Sequence, residues 1–229
     1  MKFQEEDIFG STDNVNTSLR EIIPMLDNEV SKLLNQQQND FLLLSLRAIT
    51  SYTGVLFDRL ISHPHFPIEY NALSARNLFE CYLLIAYLIK NPSKGEEFVS
   101  QKAYEEIEIN EGFLSLKTDN ISEASIKYIQ DRTEYVKTLM RGNGLTPSKN
   151  WTVSYLAEQT NNKVEYKAFF KLYSKYVHPS SWIVNSYKQD YDNLVFGNIF
   201  LLQGKHYASC ITKLVSAYLK ERSITYRHQ

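Results

Sequence analysis

Apolar residues recur at intervals of three and four along nearly the whole 229-residue chain, and no run alternates apolar with polar long enough to make a strand. A chain patterned this way can bury its hydrophobic stripes only by packing helix on helix. The fold class it dictates is all-α, a single multi-helix bundle. The eight glycines and six prolines fall mostly between the periodic segments, where they act as helix stops.

The first segment, 14–38, puts Leu19, Ile22, Ile23, Leu26, Val30, Leu33 and Leu34 on one face. Pro24 lies inside it and marks either a kink or the true start, since proline is welcome in a first turn. Asp40 is placed to cap a second helix reaching Ile61, with Leu43, Leu46, Ile49, Tyr52, Leu56, Phe57 and Leu60 inward. Pro64 and Pro67 end it. A third helix over 69–90 is apolar nearly all round in its second half, the mark of a central helix. Further helices follow at 94–116, at 122–140 behind a cap at Ser122, at 151–159 and at 164–177. These segments divide one domain, 1–229, into an N-terminal hairpin at 14–62, a core at 69–178 and a long C-terminal helix at 191–222.

Composition removes several function classes. Lys and Arg total 25 against 26 Asp and Glu, a formal charge of −1, whereas a protein that wraps duplex DNA by neutralising phosphates is usually far more basic. Cys81 and Cys210 sit inside apolar helical patterns, which fits a reducing compartment rather than a disulfide framework. The acidic N-terminal stretch lacks the basic start of a secretion leader. The longest unbroken apolar run, Cys81 to Ile89, is under half of the roughly 20 residues a membrane span needs. The expected location is the cytoplasm, with no membrane association.

Two clusters can carry chemistry. In Ser74-Ala-Arg-Asn-Leu-Phe-Glu80, Arg76 and Glu80 are one helical turn apart on a face that Ala72, Leu83 and Tyr87 continue inward. Charges at the mouth of a buried stripe need compensation. Arg before Glu is the weaker order for an intrahelical pair, which points to partners elsewhere in the bundle; a plain ion pair is the alternative. In Tyr173-Ser-Lys-Tyr-Val-His178-Pro179, Ser174 and His178 share a face, and the negative end of the helix dipole favours a protonated imidazole. The alternative there is a histidine that merely caps carbonyls and packs on Trp182. Lys163, Lys167, Lys171 and Lys175 form a row at spacing four, either guiding a phosphate-bearing ligand toward His178 or forming a solvated face. His63 and His65 have no carboxylate or cysteine at ligand spacing, and no phosphate loop, dinucleotide fingerprint or nucleophile elbow occurs. No metal and no cofactor is expected.

Ser74 to Glu80 with Tyr82 to Tyr87, then Trp151 with Leu156-Ala157, then Tyr173-Ser174 and Val177-His178-Pro179-Ser180, occur in the order seen in a bacterial family of helical proteins. The chain resembles that family, the domain of unknown function 5677, over about 40–182. More distantly it is similar to HEPN-type helical domains, many of which are metal-independent ribonucleases of toxin and phage-defence systems that work as dimers. Their motif sets Arg, commonly followed by Asn, shortly before His. Arg76-Asn77 matches its start, but Cys81 stands near the histidine's place. Formal matches from Arg59 to His65 and from Arg222 to His228 are broken by Pro64 and left in the tail, respectively. The resemblance implies a ribonuclease-like effector in which His178 supplies the missing imidazole, Arg76 stabilises phosphate charge and Glu80 orients Arg76. Asn77, Tyr173, Ser174, Lys171 and Lys175 would hold the RNA or nucleotide. A homodimer and a partner protein from a defence operon are the expected associations. The rival reading is a non-catalytic helical module that binds a partner protein or a small phosphate-bearing ligand.

Overall fold

A computed structural model describes residues 8–13, 19–36, 40–62, 67–116, 122–187, 191 and 193–227. His63, His65 and His228 lie outside the described residues, as does the 14–18 stretch assigned above to the first helix. The elements are α1 (Ile22–Leu34), α2 (Phe41–Ser62), α3 (Ile68–Lys90), a 3-10 turn (Pro92–Lys94), α4 (Gly95–Ser115), α5 (Glu123–Gly142), α6 (Val153–Gln159), α7 (Lys163–Glu165), a π turn (Tyr166–Phe170), α8 (Lys171–Val177), α9 (Ser181–Val184) and α10 (Leu194–Arg227). No strand occurs among the described residues, and the all-α class holds.

Local chemistry explains the boundaries. Pro24 falls in the first turn of α1, where its missing N–H would have had no intrahelical acceptor, so it marks a start and not a kink. Asp40 caps α2: its Oδ1 accepts from the amides of Leu42 (2.9 Å) and Leu43 (3.2 Å). Its Oδ2 meets Arg222 Nη1 at 2.6 Å, which ties the far end of α10 to the start of α2. Burial pushes the Asp40 carboxyl up, but Arg222 and the two amides outweigh it and hold the group below its ordinary value. Ser122 caps α5 through the Ser125 amide at 3.2 Å, and Thr152 caps α6 in the same way.

Helix α3 is central, packing against α2, α8, α10 and α6. Leu78, Phe79, Leu83, Ile85 and Leu88 have no exposed surface, and each such side chain contributes about 1.5–3 kcal/mol by leaving water. Two inward assignments are corrected. In α1 the buried positions are Ile22, Leu26, Glu29 and Leu33, because Leu34 lies a further 100° round the helix and is half exposed. In α2 the inward place expected for Tyr52 goes to Thr53, whose hydroxyl folds back onto the Ile49 carbonyl at 2.8 Å; Tyr52 is 49% exposed.

Helices α2 and α3 are long and apolar enough to span a membrane by length and composition. Counting unbroken runs missed this. Half of each window is buried inside the bundle.

The α4–α5 hairpin leans on the rest of the fold mainly through α2, and its foot requires a close approach. A Cβ on Gly95 would sit 2.6 Å from the Leu42 amide nitrogen and 2.8 Å from its Cα. Both are backbone atoms that cannot swing aside. Gly95→Ala should therefore lower stability by about 1–3 kcal/mol, as overpacking does. Gly54, in the middle of α2 with nothing within 4 Å of its virtual Cβ, should gain about 0.5–1 kcal/mol as Ala. Urea unfolding of the two variants checks both signs.

Candidate functional site

The two clusters meet. Arg76 Nε donates to Glu80 Oε1 at 3.1 Å, and Arg76 Nη1 lies 3.1 Å from Nε2 of His178, 102 residues away in sequence. The guanidinium carbon stands 4.6 Å above the ring of Phe170, a cation–π contact worth about 0.5–1 kcal/mol at a half-open position. The Arg76 and Glu80 side chains are 22% and 31% exposed, and His178 is exposed. The constellation is thus open to solvent.

Each member is positioned by a local cause. Arg76 and Glu80 are one turn apart on α3, on the margin of its buried stripe. His178 ends α8 with φ −114° and ψ 150°, because Pro179 denies the residue before it a helical backbone. That extended geometry turns the imidazole off the helix and onto Arg76. Phe170 closes the π turn, a wide turn of a kind that recurs at functional sites. Its ring packs on Phe79 at 6.4 Å.

A guanidinium only donates. In this contact Arg76 can only be the donor, and Nε2 of His178 is the acceptor. Burial raises the Glu80 carboxyl above its ordinary value, and the hydrogen bond and charge of Arg76 pull it only part of the way back. Cys81, in the place near which the related motif has histidine, is 5% exposed, and burial pushes its thiol up to about 12. A thiol that keeps its proton cannot act as a base. The available base is His178.

The residues assigned to ligand binding separate into two groups. Lys171 and Lys175 are exposed and lie one turn apart on one face of α8. Asn77 is half-buried next to the cluster. Tyr173 is not ligand-facing. It is fully buried, and its hydroxyl donates to Gln203 Oε1 at 2.6 Å, beside Tyr207, whose hydroxyl is 3.1 Å from Glu165 Oε1. Burial pushes its phenol far up. Its place is the core, because positions 173 and 176 face α10 while 171, 175 and 178 face out. Ser174 donates to the Phe170 carbonyl at 2.9 Å, so it steadies the ring under Arg76 rather than meeting a ligand through that proton. In the lysine row, Lys163 pairs with Glu158 at 2.8 Å. The π turn between Lys163 and Lys171 breaks the regular spacing that made the four look equivalent. Phe170 escaped the sequence reading, since an aromatic residue at helical spacing looks like core. Among the described residues no group of three or more His, Cys, Asp or Glu could hold a metal ion.

The Glu80 geometry has a thermodynamic consequence. A carboxyl that titrates higher folded than unfolded makes the native state bind more protons above its ordinary value of 4.5. Stability then falls as pH climbs through that window. Glu80→Gln should remove this component, so the stability difference, variant minus wild type, should grow in the variant's favour from pH 4.5 upward. A urea-unfolding series against pH checks the sign.

Comparison with known proteins adds one positive finding. No curated protein and no solved structure matches the chain. A family profile matches residues 69–193, a span that runs from the start of α3 to the threshold of α10 and contains Arg76, Glu80, Phe170 and His178. By that match over more than half of its length, the chain belongs to the family of unknown function DUF5677.

Proposed function

We propose that Arg76, Glu80 and His178 form the working centre of a ribonuclease-like effector that cleaves RNA without a metal. The observation that carries this reading is the convergence of a guanidinium, a carboxylate and an imidazole at one solvent-open point, from two helices far apart in sequence. Internal RNA cleavage asks for no more than these groups. A phosphate arriving at Arg76 competes for its donors and frees the Nε2 lone pair. The 2′-hydroxyl proton passes to Nε2 while the 2′-oxygen bonds to phosphorus. Arg76, held by Glu80, stabilises the charge that builds on the phosphoryl oxygens, a task its planar fork suits. The P–O5′ bond breaks, and the leaving oxygen takes the proton back from the imidazolium. The products are a cyclic 2′,3′-phosphate and a 5′-hydroxyl, and His178 returns to its neutral form. Lys171 and Lys175 attract the strand from the rim. Cleavage of this type is the chemistry of a toxin or phage-defence effector, and a pair of chains side by side is part of the same proposal. Light scattering should then return twice the 26.7 kDa of the chain, and a single-chain mass would count against the pairing.

A second reading, a non-catalytic module for a partner protein, is favoured by the α4–α5 hairpin. Ile109, Phe113, Leu116, Tyr128, Tyr135 and Leu139 are all more than half exposed there, around a cross-helix pair between Arg132 and Glu106. On that reading the Arg76–His178 contact only clasps α8 to α3.

Purified variants separate the two. His178→Ala and Arg76→Ala should each lower cleavage of single-stranded RNA at least about 100-fold, the scale of a lost general base or charge stabiliser. His178→Ala, at an exposed position, should shift stability by no more than about 0.5 kcal/mol. A wild-type preparation that leaves RNA intact, or a His178→Ala protein with undiminished cleavage, would sink the ribonuclease reading. Partner capture retained in both variants would then favour the module.

A further inference from the structure

Beside the Arg76–Glu80 pair, a groove of about 400 Å³ opens between α2, α3 and α4. Its walls are apolar and aromatic, formed by Ile49, Tyr52, Leu84 and Phe98, and its polar groups are Asn77 and Glu80. The volume lies within the usual range for small-molecule sites, which combine such walls with a few convergent polar groups. Three features distinguish it from a packing defect. The Asn77 carboxamide, half-buried, makes no hydrogen bond to any described residue, which leaves its donors and its acceptor available to a ligand. Glu80 uses only Oε1 on Arg76, so Oε2 remains as an acceptor in a side chain that lines the groove. Tyr52 offers a half-exposed ring at the mouth, and Phe98 is held in the wall by stacking on Trp151 at 6.1 Å.

Glu80 is the hinge between the two sites. One turn of α3, about 5.4 Å, separates Arg76 from it, so a ligand with its phosphate on Arg76 has its next chemical group at the groove. Unpaired RNA bases are recognised by stacking on aromatic rings and by hydrogen bonds to their edges. From this geometry we infer that the groove is a base-binding subsite for the nucleotide whose phosphate sits on Arg76, and that it selects bases carrying an exocyclic amino group. The amino group donates to Glu80 Oε2, the Asn77 carboxamide pairs with the neighbouring edge atoms, and Tyr52 covers the ring. Uracil has no such amino group and leaves Glu80 unmet. The assignment rests on Arg76 as the phosphate contact proposed above, and it adds which part of the RNA the protein reads.

Calorimetric titration of the full chain with AMP, CMP, GMP, UMP and the base-free control ribose 5-phosphate tests it. The amino-bearing nucleotides should bind about tenfold more tightly than ribose 5-phosphate, with UMP the weakest of the four. Asn77→Ala and Tyr52→Ala should each erase most of that tenfold while leaving the affinity for ribose 5-phosphate unchanged. Matching helical circular dichroism shows that both variants are folded. Equal affinity for ribose 5-phosphate and the nucleotides, an unchanged ratio in both variants, or no binding of any nucleotide overturns the subsite. RNA cleavage measured on the same preparations separates the two claims. Cleavage without a base contribution removes the groove alone. Base-dependent nucleotide binding without cleavage removes the reaction and leaves the groove standing.

Discussion

Helix α3 is buried against neighbours on several sides, and that crowding decides how the charges it carries can be kept. Arg76 and Glu80 lie at the edge of its buried stripe, too covered to be solvated freely and too polar to be packed as apolar groups. Each half-satisfies the other at 3.1 Å. The remaining donors and the flat face of the guanidinium are met from across the bundle, by His178 and by the ring of Phe170. The candidate site is therefore a consequence of core packing. A central helix with a polar margin recruits the end of another helix to complete it.

The same constraint explains the chemistry on offer. Pairing with Arg76 consumes one carboxylate oxygen of Glu80 and the Nε2 lone pair of His178, so in this state the cluster is closed on itself. An incoming anion can take over the guanidinium's donors, and what it releases is a base. Beside it, Asn77 and the second oxygen of Glu80 are left without partners at the edge of a groove.

Much of this was legible from residue order. Periodicity located most of the long helices to within a few residues, though α1 starts at Ile22 and the short α9 left no pattern, and Asp40 and Ser122 announced their caps because a side-chain oxygen before an apolar run has one good use there. The Arg76–Glu80 and Ser174–His178 spacings could be read directly. Tyr52 and Tyr173 could not. Both are aromatic residues at helical spacing, yet one faces a groove and the other sits in the core, and only the neighbouring helix decides between them. The π turn at Tyr166–Phe170 was equally hidden, because one extra residue per turn leaves no mark on composition.

Taken alone, the amino-acid order determined the helical class, the stop at Pro179, the extended backbone that proline imposes on His178, and the titratable groups at hand. These follow from forces acting within a turn or two of chain. Tertiary structure alone decided that His178 and Phe170 come to Arg76, that Cys81 is sealed while Glu80 stays open, and that a groove lies beside the pair. Such contacts span about a hundred residues and depend on how whole helices pack, on crossing angles and on the phase shift of the π turn, none of which a local pattern specifies.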